Sequence, residues 1–497
     1  MNAARTTTTP VLHADRLFID GAWVDPSSDA SVDVIDSGTE ELYYRVAAAG
    51  PDDISRAVGA ARRAFDDGPW PRMTHAERAD VLRALAAGIQ ERGEVLGQLW
   101  PRETGTIYRA AQYAGRIGSG AILQYAALAD TFPWEEECPP TGGGEFGLLV
   151  REPVGVVGAI IPWNAPVALI CHKIAPALLA GCTVVLKSAP EAPGEGYVFA
   201  EVADEIGLPA GVLNVVTADR DVSELLVRDP GVDKITFTGS TAAGRRIASL
   251  CGERIARCTL ELGGKSAAVV LDDIDLGTAA KSVARAECAL NGQVCSSLTR
   301  VVVTKRRHDE LVEALASTFS QTRVGDPFDE QTQLGPLVSE RQRDRVEGYI
   351  AKGVAEGSTL ATGGGRPKEL DRGYYVEPTV FGNVDNGSTI GREEIFGPVL
   401  SVIAAEDEQD AVRIANDTIY GLNASVFTND VDRARAVAGE LRSGTVGHNA
   451  FRTDFGMAFG GFKQSGIGRE GGKEGLLPFL ETKAVILDGT PQQYGPS

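Results

Sequence analysis

The chain is expected to adopt a mixed α/β fold with a doubly wound parallel sheet, divided into more than one unit within one subunit. Three observations carry this expectation. From Gly155 onward, short β-branched runs alternate with helical stretches, the pattern of strands joined by helical crossovers. The alternation restarts after Leu262, which marks a second α/β unit. The length of 497 residues, 43% of them hydrophobic, also exceeds one ordinary core, so two or three units are expected.

In order, residues 17–24 hold two short apolar runs about Asp20-Gly21, which reads as a hairpin. Between residues 51 and 99, apolar positions recur at three- and four-residue steps: Ile54, Val58, Ala61 and Phe65, then Ala79, Leu82, Leu85 and Ile89. That period is helical. Asp52 or Asp53 is a candidate cap for the first helix, and Thr74 with Glu77 makes a capping box for the second. Helical texture returns over 108–128. Residues 132–145 shift to Pro, Glu and Gly and read as a connector before a strand at 146–152. Strands follow at 156–161, 183–187, 212–216 and 234–237, with helices at 165–179 and 196–206 and another from 223. In the second unit a strand at 301–303, helices at 309–322 and 339–355, a helix beginning at 411–414 and a strand at 424–427 are expected. A late strand at 483–487 has no neighbour in its own unit to pair with.

A formal net charge of -20 and a pI near 4.8 exclude a nucleic-acid or anionic-membrane surface, which needs clustered Lys and Arg. The seven cysteines are odd in number and lack a C-x-x-C spacing, so free thiols in a reducing compartment are expected and no metal site. Residues 1–10 are polar and Thr-rich, without the apolar core of a signal peptide. No apolar run reaches the roughly 18 residues of a membrane span. A cytoplasmic protein is expected.

The chemistry concentrates in residues 261–295. Glu261-Leu262-Gly263-Gly264-Lys265 opens the stretch and Gly292-Gln293-Val294-Cys295 closes it, with a strand, a turn and a helix between. Such a path can return Cys295 to the cleft that holds Glu261. A thiolate attacks carbonyls, and a carboxylate beside it can activate the water that releases a thioester. Four further segments fit around this pair. Pro162-Trp163-Asn164-Ala165-Pro166 follows a strand and offers an amide to an oxyanion. Lys187 ends an apolar strand. Phe237-Thr238-Gly239-Ser240 through Gly244 leads from a strand into a helix N-terminus that suits a pyrophosphate, though it is not G-x-G-x-x-G. Glu393-Glu394-Ile395-Phe396-Gly397-Pro398 pairs a carboxylate for ribose hydroxyls with an aromatic ring.

With Phe459-Gly460-Gly461-Phe462-Lys463-Gln464-Ser465-Gly466, these motifs together, in this order, resemble the aldehyde dehydrogenase superfamily over nearly the whole chain. The resemblance implies an aldehyde-dehydrogenase-like fold: a Rossmann-type dinucleotide-binding domain (15–130 and 152–262), an α/β catalytic domain (263–478) and a β-arm for oligomerisation (131–151 and 479–497). It implies Cys295 as nucleophile, Asn164 as oxyanion donor, and Glu261 as general base for hydrolysis of the thioester to a free acid. Around the cofactor it implies Ile160, Pro162, Trp163, Lys187, Gly239, Ser240, Leu262, Glu394 and Phe396. Along the substrate channel it implies Ala165, Leu169, His172, Val294, Phe455 and Phe459. The implied partners are an aldehyde and a second copy of the chain, in a homodimer or homotetramer.

Two departures bear on specificity. Many relatives carry Glu three residues after the Lys187 position, where this chain has Pro190 and then Glu191. No Arg or Lys follows Lys187 closely, so NAD is expected, with NADP admitted. Ala165 stands where relatives acting on small aldehydes often have an aromatic, and His172 where some have Trp, read here as a surface histidine. A wide channel for medium-to-large hydrophobic aldehydes is therefore expected, aided by Phe455, Met457 and Phe459. A semialdehyde dehydrogenase of a catabolic pathway and a non-catalytic binding protein are the alternatives. A thiol hydrolase would require His172 or His448 beside Cys295.

Overall fold

The computed structural model describes residues 10–494. The Thr-rich residues 1–9, read above for a targeting signal, lie outside it, as do 495–497 at the end of the expected arm. Two large sheets dominate. The first has eight strands in the order Gly466–Ile467, Arg257–Glu261, Lys234–Thr238, Val156–Ile160, Thr183–Ser188, Leu213–Thr217, Leu17–Ile19, Ala22–Val24. Its five central strands are parallel, and antiparallel pieces close both edges. Chain order runs outward from Val156–Ile160 to one side through Leu213–Thr217, then jumps to Lys234–Thr238 on the other side. The crevice at the carboxyl ends of those two adjacent strands is where such sheets bind ligands. Every residue of the strand Val156–Ile160 is buried, because helices cover both faces.

The second sheet has seven strands with Ala267–Val270 near its middle, flanked by Arg300–Thr304 and Asn423–Phe427. All its pairings are parallel except that of Thr359–Thr362 with Thr379–Gly382. The late strand finds its neighbour far back in the chain. Leu480–Leu487 runs antiparallel to Phe146–Pro153, from Leu480 opposite Pro153 to Leu487 opposite Phe146. The expected connector 132–145 is not all loop, since Glu135–Glu137 is a third strand on the other side of Phe146–Pro153. Three adjacent glutamates repel in most settings, and Arg151 ties one of them down through Glu136.

Local chemistry accounts for the helix starts. Thr74 and Glu77 form the expected capping box at the helix His75–Glu91. At the helix Pro51–Asp66 neither Asp is the cap. Gly50 takes that position, and the buried Asp53 carboxylate accepts from its N–H at 2.8 Å and from Ser27. The hairpin turn places Asp20 and Gly21 both at positive φ, as a tight two-residue turn requires.

Candidate active site

The parallel register brings the site together. Ile160 lies opposite Lys187 and Phe237, and Thr238 opposite Glu261, so the strand ends form one edge. Immediately beyond it Pro162 stops the first strand, and Pro166 occupies the first turn of the helix Pro166–Ala180. The loop between them is pinned at Asn164, whose backbone carbonyl accepts from the Trp100 indole at 3.0 Å. The Asn164 side chain is buried and donates to the Gln293 carbonyl at 2.9 Å, two residues from Cys295. Asn164 and the Cys295 loop are thus joined directly.

Cys295 comes from the second unit by way of an unusual backbone. After the helix Leu276–Glu287, Leu290 and Asn291 both take left-handed conformations, with φ of 46° and 61°. A left-handed Leu costs about 1–2 kcal/mol. Asn291 offsets this by donating to the carbonyls of Gly105 and Pro336, each at 2.8 Å, and accepting from the Gly335 N–H at 2.7 Å. Gln293 likewise accepts from the Val338 N–H at 3.0 Å and donates to the Thr104 carbonyl. The loop then packs so closely on Gly264 that a Cβ there would come within 2.4 Å of the Cys295 carbonyl oxygen. At Gly263 a Cβ would lie 2.2 Å from the Glu394 carboxylate, which accepts from the Gly264 N–H. The paired glycines let Cys295 and Glu394 converge beside Glu261.

Glu261 is buried, and neither carboxylate oxygen has a hydrogen-bond partner among the described residues. Burial, reinforced by the Glu470 carboxylate, holds its carboxyl well above the usual range, with Lys173 and Arg469 acting in the opposite direction. Beside it, Lys173 and Glu470 form a fully buried ion pair at 2.5 Å. Burial also pushes the Cys295 thiol up to about 12, with Glu394 and Glu261 adding to the effect. Burial therefore disfavours the charged form of both groups. Burial raises Glu394 to about 7 and lowers Lys187 to about 8, the latter opposed by Glu191 and Asp219.

A dinucleotide fits the remaining features. Lys187 is almost fully buried at a strand end, yet its ammonium makes no hydrogen bond within the described structure. Ser240 caps the helix Thr241–Glu253 and is exposed, leaving that helix N-terminus open. Gly239 is tied to the Glu261 carbonyl at 3.0 Å, and Leu262 packs on Gly244. Trp163 and Phe396 meet edge to face at 5.4 Å.

Of the residues expected along the substrate channel, Leu169 is buried and Ala165 and Val294 are partly exposed. His172 is a correction: the structure buries it instead of placing it on the surface. Its ring stacks on Phe455 at 4.1 Å, and Phe455 stacks on Phe459 at 4.5 Å. A surface reading failed because the partner rings lie almost three hundred residues downstream. Met457 is 73% exposed and adds little to this wall. Burial and Lys173 lower His172 to about 3, so it is neutral. His448 bonds the Thr428 carbonyl, not a group of this site. Sequence reasoning quoted Asn291 and Gln293 without giving either a role, and overlooked Lys173 and Glu470. An Asn-Gly-Gln run before a cysteine was the one available signal, since buried ion pairs leave no local pattern.

A doubly wound sheet whose carboxyl edge meets a half-buried thiol and a buried carboxyl group suits thiol-based chemistry on a dinucleotide-binding scaffold. The chain belongs to the aldehyde dehydrogenase family, whose model matches residues 23–485, and is an oxidoreductase of that type. It is 45% identical to a geranial dehydrogenase of Castellaniella defragrans, over 95% of this chain and 98% of that one. It is 41% identical to a 3-succinoylsemialdehyde-pyridine dehydrogenase of a Pseudomonas species, over 94% and 98%. Among solved structures, a Mycobacterium tuberculosis aldehyde dehydrogenase complexed with NAD+ superimposes with a TM-score of 0.93 at 45% identity, covering 97% of this chain and 99% of that one. A Pseudomonas syringae aldehyde dehydrogenase C variant complexed with NAD+ and octanal gives 0.93 at 38% identity, over 98% and 100%.

Proposed function

We propose that this chain oxidises medium-to-large hydrophobic aldehydes to free carboxylic acids with NAD, through a covalent thioester on Cys295. The observation that carries the reading is the convergence of Cys295, Asn164 and the unpartnered Glu261 about the Gly263-Gly264 turn. Cys295 gives its proton to water, and its sulfur attacks the aldehyde carbon. The second amide proton of Asn164, the one not given to Gln293, and the Cys295 N–H stabilise the oxyanion. Bound NAD supplies the hydride acceptor; Lys187 and Glu394 would hold its ribose hydroxyls, Ser240 and its helix end the pyrophosphate, and Phe396 the nicotinamide ring. Glu261, once ionised, takes a proton from the water that hydrolyses the thioester.

The substrate preference is supported by the aromatic wall that runs from Phe459 outward to His172. At its outer end a pocket of about 510 Å³ is lined by Tyr113, Ile117, Gly120 and Ala121 with His172. Geranial and octanal, named for two relatives, are aldehydes of this kind. A second reading has one observation behind it: Arg116 also lines this pocket and has no ion-pair partner among the described residues. A semialdehyde with an anionic tail would suit it.

The division expected from sequence goes with this proposal: residues 15–130 and 152–262 bind the dinucleotide, 263–478 carry the thiol, and 131–151 with 479–497 form the arm. The free edge of the arm sheet supports pairing with a second copy, hence a homo-oligomer. No described helix is long and apolar enough to cross a membrane. All seven cysteines are free, which supports a cytoplasmic setting.

The test is single-turnover against steady-state NADH formation across a panel of aldehydes. Glu261→Gln is expected to give a stoichiometric NADH burst and then slow release, and Cys295→Ala no NADH at all. A Glu261→Gln enzyme cycling at the wild-type rate refutes the general-base role. A panel optimum at small aldehydes refutes the substrate class. Loss of activity toward anionic semialdehydes alone in Arg116→Met would favour the second reading.

A further inference from the structure

A second pair of sulfurs lies away from the reaction centre and plays no part in the chemistry above. Cys251 is in the last turn of the helix Thr241–Glu253, and Cys258 is the second residue of the strand Arg257–Glu261. The connection doubles back tightly: the Ala256 N–H donates to the Cys251 carbonyl at 2.9 Å, and Ile255 takes a left-handed φ of 56°. This return places both side chains in one apolar cluster, where each is the main influence on the other's thiol. Cys251 is 1% exposed and Cys258 half-buried, so one sulfur is reachable and the other waits behind it. The buried Lys234 ammonium, held by Thr259 at 2.7 Å, contributes positive charge beside Cys258.

We propose that Cys251 and Cys258 form a peroxide-sensitive dithiol that closes reversibly to a disulfide. The Cys258 thiolate attacks one peroxide oxygen and the O–O bond breaks. The departing hydroxide takes up a proton to become water, leaving Cys258 as a sulfenic acid. The Cys251 sulfur, losing its proton, then attacks the Cys258 sulfur, and the sulfenic hydroxyl leaves with that proton as a second water. Two thiols and one peroxide become one disulfide and two waters, and a reducing thiol reverses the step.

The pair has a kinetic advantage over the catalytic cysteine. The Cys251 side chain, opposed by burial and aided by the Lys234 ammonium, holds the Cys258 thiol below its ordinary range and favours its thiolate. Cys295, pushed up to about 12, is almost entirely thiol in the enzyme without substrate or nucleotide. Low peroxide is therefore consumed at the pair while the nucleophile survives.

The experiment exposes the full-length protein, free of nucleotide, to a few equivalents of hydrogen peroxide at pH 7.5, then blocks remaining thiols and digests with trypsin. Cleavage at Arg246, Arg254, Arg257 and Lys265 leaves the two cysteines on separate peptides, so a disulfide appears as a linked species of residues 247–254 and 258–265. The expected result is that linked species, removed by dithiothreitol, in samples that retain most of their initial NADH-forming rate. In Cys251→Ser the sulfenic acid at Cys258 should persist and be captured by dimedone, and in Cys258→Ser neither product should form. Loss of activity with no linked peptide overturns the proposal, as does Cys258 found only as sulfinic or sulfonic acid in the wild-type chain.

Discussion

Asn164→Ala separates the chemical from the structural work of one side chain. The buried amide has two protons, and the structure commits one to the Gln293 carbonyl at 2.9 Å. The other is the proposed oxyanion donor. Removing a donor of that kind typically costs about 10²–10³ in kcat, or roughly 2.7–4 kcal/mol of transition-state stabilisation. The same substitution strips a buried carbonyl of its partner, which costs about 1–3 kcal/mol of folding stability. The two losses appear in different measurements: kcat at saturating aldehyde and nucleotide for the first, and denaturant unfolding for the second. Nucleotide affinity, followed by quenching of tryptophan fluorescence, should barely change. Asn164→Asp keeps the shape but offers acceptors to a site that needs a donor, so its kcat should fall at least as far. A kcat for Asn164→Ala within about threefold of wild type, in a protein that has lost stability, would refute the oxyanion role and leave Asn164 as a structural tie.

Three further outcomes follow from the buried charges and the cofactor end of the site. Glu261 acts as a base only when ionised, and its carboxyl is held high, so turnover limited by hydrolysis should climb with pH; Glu470→Gln, which leaves Lys173 facing Glu261, should move that climb to lower pH and Lys173→Met to higher pH, and shifts in the same direction in both variants would sink the assignment. Tyr44 donates to Glu103, and Glu103 and Glu195 are two buried acids that influence each other, burial holding Glu103 well above the usual range and Glu195 at about 7. An acid raised in the folded state keeps its full favourable effect below its unfolded pKa of about 4.3 and loses it as pH rises towards 7. The Glu195 share of that loss is on the order of 3 kcal/mol, so urea unfolding from pH 5 to 8 should show a flatter stability profile for Glu195→Gln than for wild type. At the ribose end, Glu191 holds Arg341 at 2.8 Å, and Glu191→Gln should free that guanidinium and raise the NADP-to-NAD ratio of kcat/KM about tenfold, roughly 1.4 kcal/mol; an unchanged ratio would place Arg341 outside the phosphate's reach.

Arg341 shows where sequence reasoning stopped. The absence of a cation just after Lys187 was plain in the sequence, but the cation that pairs with Glu191 lies 150 residues away. The parallel sheet was legible because four of its five central strands are short apolar runs between helical stretches; Arg257–Glu261, with a single β-branched residue, was not read as a strand. The second-sheet edges, such as Thr359–Thr362 and Thr445–His448, were missed because they are short and polar and take their conformation from a neighbouring strand. Glu135–Glu137 is the extreme case, a strand by pairing alone. Side chains proposed for one chemical purpose, Cys295 and Glu261, were legible by residue type and motif. Those that act by bracing others, Asn291, Lys173 and Glu470, have no signature until the fold brings their partners alongside.

That bracing explains why the nucleophile can be supplied by a different sheet from its helpers. Glu261 ends a strand of the first sheet and Asn164 follows another, whereas Cys295 immediately precedes Arg300–Thr304 of the second. Small shifts between the two sheets would move the thiol relative to its oxyanion donor, and an error of about 1 Å is enough to cost a large factor in rate. Asn291 and Gln293 remove that freedom because each bonds to both sides: Gly105 or Thr104 from the first half of the chain, and Gly335, Pro336 or Val338 from the second. The left-handed Leu290 and Asn291 are the conformational cost of reaching both sets of partners at once. The thiol loop is thus the joint between the two units, and its geometry is set by that joint more than by the helix that leads into it.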